Sequence, residues 1–154
     1  MVQSARMIVA ALKFFGLPAP ERLLLVHAFT LLAAVRVALW LLPFKVLRWM
    51  LSKLAQACAP YPSEGRFPLE RGVWALQAAS RYVPRATCLT QALAGQVLLG
   101  FNGTSASVRI GVAKKGTRDL EAHAWLESQG KILIGGTDAD QRYACLLAFN
   151  PWER

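Results

Sequence analysis

The apolar residues of this chain change period once, near Gly103, and that change limits the fold more than any other feature. Before it they recur at intervals of three and four, as on one face of a helix; after it they alternate, as on a strand. Helices therefore come first and a sheet last, which predicts an α+β architecture rather than alternating β and α units around a parallel sheet. Ser107 to Ala113, Asp119 to Glu127 and Lys131 to Gly136 read as strands, separated by turns at Lys114–Thr117 and Gln129-Gly130. Short connections of this kind make an antiparallel meander. The tail from Tyr143 to Phe149 fits a short strand or a short helix equally well.

The helical part opens with Met7, Ile8, Ala11, Leu12 and Phe15 on one stripe, closed by Gly16 with Pro18 beyond. A second helix should start near Pro20-Glu21, where proline fits the first turn and a carboxylate suits the dipole, and run to Leu42. Its uncharged window, Leu23 to Val35, is shorter than the roughly 20 apolar residues that cross a bilayer. Arg36 lies inside the run and Pro43 ends it, so a hairpin of helices buried against the rest of the chain is expected. His27 within this run reads as a core side chain, since no second ligand or base accompanies it. Beyond Pro43, Lys45, Arg48 and Lys53 are interspersed with Phe44, Val46, Leu47, Trp49, Met50, Leu51 and Leu54, the pattern of a basic amphipathic helix able to lie on a membrane. Cys58 to Pro68, with prolines at 60, 62 and 68 and glycine at 65, is the clearest linker. It is a seam within one compact unit, or a boundary between a helical region, residues 1–60, and a domain spanning residues 61–154.

Charge and cysteine content narrow the function. The 154 residues carry a net charge of +9, and Met1 to Pro60 supplies +6 of it, seven basic residues against Glu21 alone. The basic residues are scattered singly rather than interleaved with aromatics in a stripe, so no nucleic-acid partner is expected; peripheral contact with an anionic membrane is compatible with them. Three cysteines with no Cys-x-x-Cys pair argue against a disulfide framework and a zinc knuckle. A reducing cytoplasm is the expected compartment, no signal peptide being visible. Cys58 and Cys145 read as inert small apolar side chains.

Cys88 differs from both. A helix over Leu69–Tyr82 is stopped by Pro84, and Thr87 is a suitable N-cap for the helix that opens at Cys88 and ends at Gly100. Leu89, Ala92, Leu93, Val97 and Leu98 give this helix an apolar stripe with small Ala94 and Gly95 beside it, as in a buried central helix. A helix N-terminus and a nearby imidazolium both stabilise a thiolate. His123, on the second strand, is the candidate base that would then protonate a leaving amine. The helix N-terminus also offers backbone N–H groups to a developing oxyanion. Trp125 shares a face with His123 and is a candidate wall of the substrate site; it suits a core position as well.

A third residue should hold the imidazole. With a two-residue turn at Gln129-Gly130, Ser128 faces Lys131 and His123 faces Gly136, leaving Asp138 as the diagonal neighbour on the same face. A three-residue turn would flip Asp138 to the other face. Asp140, Glu127 and Asp119 are the reserve candidates.

The run Cys88-Leu89-Thr90-Gln91-Ala92-Leu93-Ala94, then Ile110-Gly111-Val112, then Ala122-His123-Ala124-Trp125-Leu126-Glu127, resembles the transglutaminase-like cysteine peptidases that remove leader peptides in lasso peptide biosynthesis. The resemblance covers about Val73 to Phe149, and the basic, Leu-rich helices before it resemble the stand-alone form of these enzymes. It implies a transglutaminase/papain-like core, with Cys88 as nucleophile, His123 as base and Asp138 as third member, and no cofactor. It implies a ribosomally made precursor peptide as substrate, a threonine near the end of its leader as a recognition element, and a macrolactam synthetase receiving the core peptide. Residues 1–57 read as helical rather than as a winged helix, so the leader-recognition protein is expected to be a separate chain. Acyl transfer to an amine by the same residues, or a membrane-associated scaffold without chemistry, are the competing expectations.

Overall fold

A computed structural model describes residues 14–57, 65–116 and 119–151. The expected helix over Met7–Phe15 lies almost wholly outside them, as do Cys58 and most of the linker after it. Among the described residues, five helices and four strands follow in order. They are α1 (Ala19–Leu41), α2 (Phe44–Ala57), α3 (Leu69–Ser80), α4 (Cys88–Phe101), β1 (Ser107–Lys115), β2 (Asp119–Ser128), β3 (Lys131–Ile134), the short α5 (Ala139–Arg142) and β4 (Ala144–Phe149). Helices precede an antiparallel sheet of order β3-β2-β1-β4, the α+β arrangement expected from the change of period. The ambiguous tail is a strand, because the outer edge of β1 is otherwise unpaired and Val108 to Val112 take it up.

α4 is the centre. Ten of its residues, Thr90 and Ala92 to Gly100, are buried, and α1, α3 and the sheet pack around it. Small residues let the neighbours approach: a Cβ on Gly95 would stand 2.9 Å from the Leu126 side chain of β2, and one on Gly72 of α3 would stand 2.8 Å from Leu99. Thr90 and Gln96 are the polar side chains buried along α4. Gln96 donates through Nε2 to the Ala106 and Phe149 carbonyls, both at 2.9 Å, and so binds the entry to β1 and the end of β4 to the same helix. Replacing it by leucine strands two buried acceptors, each costing about 1–3 kcal/mol. Gln96→Leu should lower the unfolding free energy in urea by roughly 2–5 kcal/mol; a change under about 0.5 kcal/mol would refute this role.

The N-terminal helices share this core rather than forming a layer of their own. Leu24, Ala28, Leu32 and Val35 of α1, and Leu47 and Leu51 of α2, join Leu76, Leu93, Leu99, Leu126 and Phe149. Glu21 at the start of α1 pairs with Arg71 of α3, and Arg48 of α2 stacks on the Phe149 ring. The expected buried hairpin is met on these inner faces only. Phe29, Val37, Trp40 and Leu41 of α1 and Val46, Trp49, Met50 and Leu54 of α2 are exposed. The reason is geometric: α1 is apolar on all sides, and the domain beneath can cover only one. At 23 residues, α1 is long and apolar enough to cross a membrane by length and composition.

Candidate active site

Cys88 is the first residue of α4. The chain reaches it through a tight approach in which Ala86 N–H donates to the Val83 carbonyl and Arg85 adopts a left-handed φ of 57°. Thr87 is the N-cap expected from the sequence: its Oγ1 accepts from Thr90 N–H, and its carbonyl accepts from Gln91 N–H at 3.0 Å. The side chain of Gln91 closes the approach by donating to the Ala86 carbonyl at 3.3 Å, a role that its neutral place in the helical pattern did not signal. The N–H groups of Cys88 and Leu89 precede the intrahelical ladder and point out of the helix start. Cys88 is half-buried against the core that Ala124 and Leu126 join from β2.

His123 sits in the middle of β2, opposite Gly111 of β1. Alternation along the strand sends Ala124 and Leu126 to the face covered by α4 and turns His123 and Trp125 to the other. There the imidazole stacks on Tyr143 with centroids 4.9 Å apart and on Trp125 at 6.5 Å. Its Nε2 lies 2.6 Å from the Gly135 carbonyl. A carbonyl only accepts, so Nε2 carries the proton and Nδ1 of the neutral ring is left as the acceptor. No hydrogen bond among the described residues joins Cys88 Sγ to His123, so the structure does not hold thiol and imidazole as a formed pair.

The pairing beyond the turn differs from the expected register for a definite reason. The turn at Gln129-Gly130 has two residues, and Ser128 faces Lys131 as expected, with Glu127 opposite Ile132. A bulge then shifts the register, so that Leu126 faces Ile134 and β3 ends there, two residues before the expected Gly136. Gly135 and Gly136 follow at φ 112° and 97°. This brings the Gly135 carbonyl, and not the Asp138 carboxylate, to the imidazole. Asp138 is exposed at the N-cap of α5, and Asp140 within α5 is exposed as well. Glu127 pairs with Arg109 at 2.8 Å, and Asp119 opens β2 far along the strand from His123.

Trp125 is fully buried, the core position that the sequence suits as well. Two glycines admit its ring. A Cβ on Gly111 would lie 3.0 Å from the far edge of the indole, and one on Gly135 would lie 2.5 Å from the Trp125 Cβ. Tyr143 completes the stack. Nothing in the sequence marks it for this place, because it falls in the tail whose periodicity is undecided. Burial holds its phenol above the ordinary range; Arg142 acts in the opposite direction, and Glu121 and Asp138 reinforce the rise.

A family model described as the transglutaminase-like superfamily matches residues 38–148, from the last turn of α1 into β4. Neither the curated proteins nor the solved structures contain a match to the chain.

Proposed function

Because the chain belongs to the transglutaminase-like superfamily, we propose that it is a cysteine peptidase that removes the leader from a lasso peptide precursor. The observation that carries this reading is the half-exposed Cys88 thiol at the start of the capped, buried helix α4. The residue runs around Cys88 and His123 support the narrower assignment to leader removal.

In the proposed reaction, Nδ1 of His123 takes the Cys88 proton and the thiolate attacks the carbonyl carbon of the scissile peptide bond. The N–H groups of Cys88 and Leu89 hold the oxyanion. The imidazolium then protonates the departing amine, which frees the core peptide and leaves the leader as a thioester on Sγ. Water, deprotonated by the same imidazole, releases the leader as a free acid. The Gly135 carbonyl keeps the proton on Nε2 throughout. Because β2 turns His123 to the face away from α4, the reaction demands a rearrangement on substrate binding that brings Sγ and Nδ1 together. A separate leader-recognition protein presents the precursor, and a macrolactam synthetase consumes the core peptide.

Mass spectrometry of a precursor peptide incubated with this protein and a leader-binding partner tests the reading. Two products are expected, a leader ending in a free carboxylate and a core peptide with a new amine. A leader carrying an added amine would reassign the enzyme to acyl transfer, and an intact precursor would remove the peptidase reading.

A further inference from the structure

The helices before the catalytic part carry two apolar stripes each, and the domain uses one. On α2, Leu47 and Leu51 are buried, while Val46, Trp49, Met50 and Leu54 form an outer stripe at helical spacing. Exposed Lys45 and Lys53 flank that stripe. On α1, Phe29, Ala33, Ala34, Val37 and Leu41 line an open groove of about 690 Å³ on the side away from the core. Trp40 and Trp49 are 79% and 62% exposed. Soluble surfaces rarely leave so continuous an apolar face uncovered.

We propose that this outer face of α1 and α2 docks in the plane of an anionic lipid bilayer, with Trp40 and Trp49 at headgroup depth and Lys45 and Lys53 on the lipid phosphates. Charge selects the occupant. The one acid of the two helices, Glu21, is paired with Arg71, so the lysines beside the outer stripe meet no opposing carboxylate on either helix. Exposed tryptophans favour the interface, where an amphipathic ring has one wet and one apolar side. The inner stripe selects the orientation. Although α1 is long enough to cross a bilayer, Leu24, Ala28, Leu32 and Val35 are committed to the core shared with α3 and α4. A spanning α1 would have to abandon that core or carry the domain into hydrocarbon; lying flat, it keeps the core and buries only the outer face.

The test is sedimentation of the full chain with vesicles of phosphatidylcholine mixed with phosphatidylglycerol, against phosphatidylcholine alone. Binding to the mixed vesicles is expected, weakened by added salt. Lys45→Gln and Lys53→Gln should each weaken it about fivefold, and Trp40→Ser with Trp49→Ser by about tenfold or more. All four side chains are exposed, and circular dichroism verifies that each variant is folded. Equal binding to both vesicle types, or none, would overturn the proposal. So would protein that only detergent extracts, which denotes a spanning helix, or a stable dimer that ignores vesicles, which gives the face to a second copy. Each of these readouts is independent of peptidase activity.

Discussion

Cys88→Ala should abolish precursor cleavage, a loss of about 10⁴-fold or more, because on the proposed reading every covalent step passes through its sulfur. The variant should fold normally, since Cys88 is only half-buried and alanine is the best helix former at the first turn. His123→Ala should cost about 10²–10⁴-fold, the usual size of a lost general base. Asp138→Asn is expected to change the rate by less than about threefold, because the carboxylate is exposed and the imidazole already has its acceptor in Gly135. Single-turnover cleavage followed by mass spectrometry separates the three. Cleavage that survives Cys88→Ala would end the thiol mechanism; a collapse on Asp138→Asn matching that of His123→Ala would return Asp138 to the third position of the triad.

Gly135→Ala should be the most destabilising small substitution at the site. Its new Cβ would stand 2.5 Å from the Trp125 Cβ and 2.8 Å from the Trp125 Cα, neither of which is the movable end of a side chain. The backbone there, at φ 112°, is also one that L-residues rarely adopt. Strain and overpacking together should cost roughly 3 kcal/mol or more, lowering Tm by about 10 °C. Gly136→Ala is the internal control. It shares the positive φ, but its Cβ would meet nothing nearer than Asp138 Oδ1 at 3.4 Å, so about 1 kcal/mol is expected. Equal losses in the two variants, read by thermal melting, would show that backbone strain alone, and not the closeness of Gly135 to Trp125, sets the cost.

The sequence was most legible where one physical rule acted alone. Periodicity located α4 and the meander, and Thr87 announced the cap because few side chains accept from a helix N–H in that position. The undecided tail became β4 only through its partner, and no local preference in Ala144 to Phe149 encodes the vacant edge of β1. The site was less legible for the same reason. A two-residue turn fixes the register only as far as the first irregularity, and beyond the bulge beside Leu126 it is the Gly135 carbonyl that meets His123. Trp125 lies in an alternating strand that gives no sign of which face will be closed; Gly111 and Gly135, lying far from it in sequence, decide that. The outer stripes of α1 and α2 were visible as apolar residues, but their exposure depends on how much surface the remaining elements can cover.

The acceptor at His123 belongs to the main chain, and this changes what genetics and titration can detect. A survey replacing each side chain in turn would register a cysteine and a histidine and point to a two-member site, since a peptide carbonyl is retained in every substitution. It also does not ionise, so no titrating group holds the Nε2 side of the imidazole.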